Sequence, residues 1–217
     1  MSGAFFTIVC PLFGCLIGNG MWLAPLPAVL NARKKGDMGE LNPLPWVAAY
    51  MNCVAYTTYG MLRQDWYIFC ANFTGLCLAV FYSLVALTLL SKSSEKRDID
   101  RVQIVIGVLV FGLFFFSIMG MSASMIYNDR GPAATLFGMT GCIFSIMYYV
   151  APLSTAMKVI STKDASSFYA PMICLNLANA LLWVFYGFIA INQPAVWAPN
   201  MVGAALSIFQ LFLTVIY

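Results

Sequence analysis

Two pairs of asparagines lie within long apolar stretches, and the members of each pair are separated by nearly the same distance in the chain. The separation of Asn72 and Asn200 exceeds that of Asn52 and Asn179 by a single position. A buried amide without a partner is costly in hydrocarbon, so each must bond to protein or line a wet cavity. Because an amide both donates and accepts hydrogen bonds, it suits a neutral ligand rich in hydroxyl groups.

The two asparagine pairs leave different alternatives open. For Asn72 and Asn200, a ligand site is the preferred interpretation, and a helix–helix hydrogen bond is the alternative. For Asn52 and Asn179, an extension of the same site and a hydrogen bond within each helix bundle are equally compatible with the pattern.

Aromatic residues recur at the separation of Asn52 and Asn179. Tyr56 pairs with Trp183 in this way, and Tyr59 pairs with Tyr186 one helical turn later. A flat ring facing the asparagines could stack on a bound solute, whereas ordinary core or lipid-facing packing is the alternative for Tyr56 and Trp183. Tyr59 and Tyr186 end their predicted helices, where they are either interfacial residues or part of a gate.

Four prolines are also repeated. Pro25 and Pro152 lie inside predicted helices, where each removes a backbone hydrogen bond and frees a carbonyl. Pro45 and Pro171 begin the helices that follow, and ordinary first-turn prolines are the alternative explanation for them. The first two prolines therefore predict kinks in helices that cross the membrane.

Missing residue types restrict the chemistry. The sequence has no His, which is the commonest general base and metal ligand, and no Asp, Glu, Lys or Arg lies in the interior of a predicted span. An intramembrane hydrolase needs a nucleophile with a base or metal, and a proton-coupled carrier normally needs an ionisable relay. We therefore expect no enzyme, cofactor or metal site, and a neutral solute that moves down its gradient.

The composition indicates a membrane protein with seven spanning helices. Of the 217 residues, 62% are hydrophobic and only 9% are charged, far from the values of a soluble domain. Basic clusters that would bind nucleic acid are nearly absent from the sequence. Charge-free runs long enough to span a bilayer predict helices at about residues 5–31, 44–62, 67–90, 102–127, 132–158, 170–190 and 197–217. The expected fold class is an all-α membrane protein.

The cations in the loops predict the orientation. Arg63 and Arg130 lie on one side, and the other nine cations lie on the opposite side: Arg33, Lys34, Lys35, Lys92, Lys96, Arg97, Arg101, Lys158 and Lys163. The positive-inside rule therefore places the N-terminus outside or in a lumen and the C-terminus in the cytosol. The first segment lacks a basic start, so we expect a spanning helix rather than a cleaved signal peptide. The rule does not distinguish the plasma membrane from the vacuolar membrane.

An internal repeat organises the chain. When the sequence is aligned with itself so that Pro25 meets Pro152, Gly14 also meets Gly141. Glycines and asparagines rarely recur in the same order inside spans by chance, so these matches indicate a repeat. One extra residue in the second copy then accounts for the longer separation of the later pairs. Each copy holds three helices, and the unmatched fourth helix makes both copies run in the same direction. We therefore expect a first three-helix repeat at residues 1–91, a linker loop and helix at 92–130, and a second repeat at 131–217.

The repeated motifs resemble one family. Ala-Pro-Leu near the end of the first helix, Pro at the start of the second, Tyr-Gly at its end and Asn in the third are similar to the SWEET (MtN3/saliva) sugar transporters, plant members in particular. The resemblance covers the whole chain and implies two parallel three-helix bundles joined by a linker helix. It also implies bidirectional, uncoupled sugar transport by alternating access, and a homo-oligomer such as a trimer in the lipid bilayer. A facilitator of another small neutral solute and a seven-helix receptor or scaffold are the alternatives.

The resemblance also assigns roles to residues. The family's substrate asparagines match Asn72 and Asn200, and its pocket tryptophan matches Trp183. Tyr56 is larger than the residue of some relatives, which favours a monosaccharide such as glucose over sucrose. The family's proline tetrad, a cytosolic hinge and gate, matches Pro25, Pro45, Pro152 and Pro171.

The outer gate departs from the family pattern. Tyr59 and Tyr186 match its tyrosines, but Asn192-Gln193 stands where relatives have an acidic partner, and Asp65 is the only acidic residue of the equivalent first-copy loop. Relatives also carry a polar cytosolic tail, and this sequence ends at Tyr217, so a missing tail is an expectation of the resemblance.

Overall fold

Long helices account for most of the chain in the computed structural model, which describes residues 2–39 and 41–217. We number seven of them in chain order: α1 Phe5–Lys35, α2 Leu44–Arg63, α3 Trp66–Leu90, α4 Lys96–Ile126, α5 Arg130–Thr162, α6 Ala170–Ala190 and α7 Pro194–Ile216. The described residues contain no β-strand. The predicted all-α fold class is confirmed.

Helix α1 is interrupted twice. A π-helical turn at Phe5–Val9 precedes a regular segment, Cys10–Leu23, and a second segment follows at Leu26–Lys35. Pro25 lies at the junction of the two segments. Pro25 has no N–H, so the backbone hydrogen bonds of α1 cannot continue without interruption at this junction.

Helices α5 and α6 are also irregular. Helix α5 consists of the segments Arg130–Tyr148 and Val150–Thr162, and Pro152 lies in the first turn of the second segment. Helix α6 is α-helical to Phe185 and ends in a π-helical turn, Tyr186–Ala190. The first helix of each sequence copy is therefore broken close to its repeated proline.

Among the described residues, six of the seven helices are long and apolar enough to cross a membrane. The exception is α2, whose hydropathy is lowered by polar residues such as Asn52 and Thr57. Nine of the 20 residues of α2 are buried. Its polar side chains can therefore pack against protein instead of facing lipid. By contrast, Phe114 and Met125 of α4 are 63% and 81% exposed, as expected for a lipid-facing surface. The chain is an integral membrane protein.

The chain forms two compact units. One comprises Met1–Gly18 together with Cys142–Tyr217, and the other comprises Asn19–Gly141. Each unit thus combines the second and third helices of one sequence copy with the start of the first helix of the other copy. The division into repeats at residues 91 and 130 describes the sequence rather than this packing, and it stays a prediction.

Left-handed residues end equivalent helices in the two copies. Gly36 (φ 75°) ends α1, and Lys163 (φ 54°), its equivalent in the second copy, ends α5. Gln64 (φ 56°) and its equivalent Asn192 (φ 48°) occupy the same conformation after α2 and α6. The turns between helices therefore repeat as the sequence motifs do, although only one of these four residues is a glycine.

The loops after α1 and α5 share a second feature. Asp37 Oδ1 accepts a hydrogen bond from the Gly39 N–H at 3.1 Å, and Asp164 Oδ1 accepts one from the Ser166 N–H at 2.8 Å. The hydrogen bonds from the backbone and side chain of Ser166 lower the pKa of the Asp164 carboxyl. A carboxylate thus fixes the chain direction after the left-handed residue in both copies.

The left-handed cap of α1 gives a prediction for stability. Gly36→Ala should lower the free energy of unfolding by about 1 kcal/mol, because a Cβ is strained at this φ. Gly20→Ala is the control, because Gly20 is helical and has open space around its Cβ position. Thermal unfolding of both variants in detergent measures the difference, and equal melting temperatures would contradict the prediction.

Candidate functional site

Asn72 and Asn200 have the same hydrogen-bond geometry. The Nδ2 of Asn72 donates to the Ile68 carbonyl at 2.9 Å, and that of Asn200 donates to the Val196 carbonyl at 2.7 Å. Within the described residues no donor bonds to either Oδ1. Each amide is therefore anchored to its own helix by one N–H and leaves its carbonyl oxygen and second N–H for another partner.

An aromatic ring lies one helical turn beyond each of these asparagines. A Cβ on Gly75 would be 2.7 Å from the Trp22 ring, and a Cβ on Gly203 would be 2.5 Å from the Tyr149 hydroxyl. Trp22 and Tyr149 are equivalent positions of the two copies, and each precedes the repeated proline of its helix by three residues. Sequence reasoning did not select these two residues, although their matching positions were a signal that could have found them.

Tyr56 and Trp183 pack on repeated glycines. A Cβ on Gly141 would lie 2.8 Å from the Tyr56 ring, and a Cβ on Gly14 would lie 3.0 Å from the Trp183 ring. Both aromatic residues are buried, with 8% of their surface exposed. Each ring thus lies against the backbone of the first helix of the other sequence copy, within one compact unit. The predicted stacking of these rings on a ligand remains a prediction.

The predicted outer-gate tyrosines are buried beside these rings. Tyr59 meets Tyr56 edge to face at 6.3 Å between centroids, and Tyr186 meets Trp183 in the same way at 5.9 Å. The guanidinium carbon of Arg63 lies 5.9 Å from the centroid of the Tyr59 ring. The equivalent position of the second copy is an alanine, so the cation–π contact distinguishes the two copies.

Asp65 has a structural task in the same region. Its Oδ1 accepts a hydrogen bond from the Ile68 N–H at 3.1 Å and so caps the start of α3. Gln193 holds the corresponding position before α7 and makes no side-chain cap bond there. The acidic residue that the first copy retains therefore stabilises a helix end.

Asn52 and Asn179 differ from one another. Asn52 Nδ2 donates to the Gly141 carbonyl at 3.2 Å. The Oδ1 of Asn179 would lie 3.7 Å from a Cβ on Gly18, and among the described residues it has no hydrogen-bond partner although it is buried. Asn52 therefore has the geometry of a packing residue, whereas Asn179 keeps a buried acceptor that a ligand or water could satisfy.

The four predicted hinge prolines fall into two pairs by unit. Pro25 and Pro45 belong to the unit of residues 19–141, and Pro152 and Pro171 belong to the other. Pro45 and Pro171 lie in the first turns of α2 and α6. That position accommodates any proline, so their role as a gate is not decided by their geometry.

A cavity of about 280 Å³ lies in the unit of residues 19–141, near the loop between α4 and α5. The residues that line it include the charged Asp129 and Arg130 and the apolar Ala133 and Phe137. None of the predicted site residues is among the described residues that line it. The candidate ligand groups are therefore elsewhere, on α2, α3, α6 and α7.

Broken apolar helices and amides repeated in two copies define a polytopic membrane protein built from an internal repeat. A family model described as "Sugar efflux transporter for intercellular exchange" matches residues 6–94 and residues 135–217. The chain belongs to this family, the SWEET (MtN3/saliva) sugar transporters. Family members are transporters and not enzymes, in agreement with the expectation from the sequence.

Individual relatives agree with this assignment. The chain is 26% identical over 209 residues to a bidirectional sugar transporter, SWEET5, of Arabidopsis thaliana, covering 95% of this chain and 84% of the relative. It is 25% identical over 184 residues to the sugar transporter SWEET1 of Drosophila pseudoobscura pseudoobscura, covering 85% and 77%. Plant and insect relatives are thus about equally similar, and the plant assignment stays a prediction.

A solved structure of a eukaryotic SWEET transporter shares the fold. It superimposes with a TM-score of 0.82 at 17% sequence identity, and the match covers 99% of this chain and 98% of the other. The arrangement of seven helices in two three-helix bundles with a linker helix is therefore that of the family.

The close contact of Tyr149 with α7 gives a prediction. Gly203→Ala should destabilise the protein by about 1–3 kcal/mol, because the new Cβ would overlap the Tyr149 hydroxyl. Adding Tyr149→Phe should restore part of the loss, since it removes the atom nearest to the new methyl group. Gly107→Ala is the control because open space surrounds that position. Thermal unfolding in detergent compares these variants with the wild type, and strictly additive losses would contradict the contact.

Proposed function

We propose that the protein is a facilitative uniporter that carries a neutral sugar in both directions across a membrane by alternating access. The observation that carries the proposal is the equivalent geometry of Asn72 and Asn200, each of which has a carbonyl oxygen and an N–H that no described residue uses. A sugar hydroxyl can donate to the first group and accept from the second. Relatives named as bidirectional sugar transporters support the same function.

The proposed substrate is a monosaccharide such as glucose. No Asp, Glu, Lys, Arg or His lies in the interior of a predicted span, so a charged substrate would have no counter-charge there. Tyr56 and Trp183 are large rings at equivalent positions of the two copies, and the bulk of Tyr56 favours the smaller sugar in this proposal. Asn179, with its unpaired buried oxygen, is the stronger candidate of its pair for a further substrate contact.

Alternating access requires elements that bend while the rest of each bundle moves as a body. We assign the cytosolic hinge and gate to Pro25, Pro45, Pro152 and Pro171 because the first helix of each copy is broken beside its proline. The outer gate is assigned to Tyr59 and Tyr186, with Arg63 on the face of the former.

The proposed orientation, membrane and oligomeric state follow from the distribution of cations and from the family. The N-terminus lies outside the cell or in a lumen, and the C-terminus lies in the cytosol. The membrane is either the plasma membrane or the vacuolar membrane. The working form is a homo-oligomer, of which a trimer is one candidate. This orientation puts the proline-bearing ends of α1 and α5 on the cytosolic side.

Replacing the matched asparagines tests the site. Asn72→Ala and Asn200→Ala should each lower uptake of labelled glucose by about tenfold, because at least one sugar hydrogen bond is lost and a hydroxyl is left unpaired. Asn128→Ala is the control, since Asn128 is exposed in the loop after α4. Uptake into proteoliposomes is normalised to folded protein, and wild-type rates in both variants would contradict the assignment.

The uniport mechanism is tested by its independence of ion gradients. Initial rates of glucose uptake should be the same with and without a protonophore, because no ionisable relay lies in the predicted spans. Preloaded vesicles should release sugar as readily as empty vesicles take it up. Accumulation above the external concentration that a protonophore abolishes would instead demonstrate coupling to protons.

A further inference from the structure

The cavity of about 280 Å³ beside the α4–α5 loop is separate from the residues proposed to bind sugar. Three helices of one compact unit line it, with Leu62 on α2, Ala123 on α4 and Phe137 on α5. Pockets that bind whole small molecules begin at about 300 Å³, so this cavity suits one part of a larger ligand.

The lining changes from polar to apolar along α4 and α5. Tyr127, Asp129 and Arg130 line the cavity at the loop. Gly120 lies two helical turns before Tyr127, and Phe137 lies two turns after Arg130, which is a depth of about 10 Å in each case. A ligand that fits this lining has a polar end at the membrane surface and an apolar end deeper in the bilayer, as a membrane lipid has.

The polar end of the cavity carries one charge of each sign. Among the described residues no ion pair joins Asp129 to Arg130. Asp129 Oδ1 accepts a hydrogen bond from the Gly131 N–H at 3.3 Å, which holds the carboxylate in the loop. Arg130 is the first residue of α5, where a cation opposes the helix dipole and so does not stabilise the helix. Both charges are therefore available to a ligand that is itself a zwitterion.

The α4 side of the cavity borders the lipid-facing surface. Met121 and Met125 lie on α4 beside the lining residues Gly120 and Ser124, and they are 62% and 81% exposed. A lipid can therefore enter the cavity sideways from the bilayer.

We propose that this cavity binds one zwitterionic phospholipid, such as phosphatidylcholine, from the leaflet on the side of the α4–α5 loop. Arg130 and the positive end of the α5 dipole attract the phosphate, and Asp129 attracts the ammonium group. The ring of Tyr127 offers an aromatic face to the choline methyl groups. Ala133 and Phe137 contact the first part of an acyl chain. The proposal does not depend on which solute the protein carries.

Other ligands fit the lining less well. An anionic phospholipid without an amine would bring no cation to Asp129, so its negative charge would be repelled there. A sugar this deep in the cavity would leave hydroxyl groups unpaired against Ala133 and Phe137.

Filling the cavity tests its occupancy. A Cβ on Gly120 would meet no atom within 4 Å, so Gly120→Leu can place a side chain in the space. Gly107→Leu is the matched control, because Gly107 lies on the same helix in equally open surroundings but is not among the lining residues. Native mass spectrometry of the purified protein, titrated with phosphatidylcholine, measures the Kd of the most tightly bound lipid.

Gly120→Leu should weaken this binding by about tenfold or more, because leucine and acyl chain compete for one volume. Gly107→Leu should bind as the wild type does. Equal affinities in the two variants would overturn the proposal.

Replacing the charges tests the headgroup. Both side chains are exposed, so Arg130→Gln and Asp129→Asn should fold even if Gly120→Leu does not. Arg130→Gln should weaken phosphatidylcholine binding about threefold to tenfold, since the phosphate loses a charged donor. Asp129→Asn should reduce the preference for phosphatidylcholine over phosphatidylglycerol by about the same factor. An unchanged preference in Asp129→Asn would overturn the assignment of the headgroup.

A protein occupant would give a different result. If a second copy of the chain filled the cavity, Gly120→Leu would reduce the oligomer in the same spectra and leave the Kd for phosphatidylcholine unchanged. That outcome would replace the lipid by a contact between copies and so overturn the proposal.

Discussion

A spanning helix in hydrocarbon must satisfy its own backbone polar groups, and this constraint governs where the chain departs from regular structure. Two departures show the compensation. The Trp22 carbonyl beside the α1 break accepts the Tyr82 hydroxyl. Within α7, Pro199 cannot donate to the Ala195 carbonyl, and the thiol of Cys142 lies 3.4 Å from that oxygen and donates to it. Side chains from neighbouring helices therefore donate to backbone carbonyls near both proline sites.

The same constraint bears on the side-chain amides of Asn72 and Asn200, whose hydrogen-bonding groups are not all used. Among the residues that the structure describes, Asn72 and Asn200 each return one hydrogen bond to their own helix and keep two further groups unengaged. A polar side chain that served packing alone would have its remaining groups bonded to a neighbouring helix. Unused groups at equivalent places in both copies suit the binding of a small polar solute, because each amide can offer a donor and an acceptor to its hydroxyl groups.

The fold was predictable from the sequence because its signals are strong and repetitive. Long charge-free runs fix the helices, and prolines such as Pro25 and Pro152 mark where the first helix of each copy is broken. Side-chain contacts were less predictable, since periodicity gives the face of a helix but not its neighbour. The packing of Tyr56 on Gly141 depends on which helices share a compact unit, and the units do not follow the repeat. The correspondence of Trp22 with Tyr149 was missed because the repeat was recognised mainly by identical residues.

The central claim is that the protein is a carrier that binds one sugar and exposes it alternately to the two sides of the membrane. Counterflow tests this most directly. Purified protein is reconstituted into vesicles that contain a high concentration of unlabelled glucose, and the vesicles are diluted into a trace of labelled glucose. The account predicts that the labelled glucose accumulates transiently above its external concentration and then declines. Only a carrier whose binding site returns to the outside occupied by unlabelled sugar produces this overshoot. A monotonic approach to equilibrium, or entry no faster than into protein-free vesicles, would contradict it.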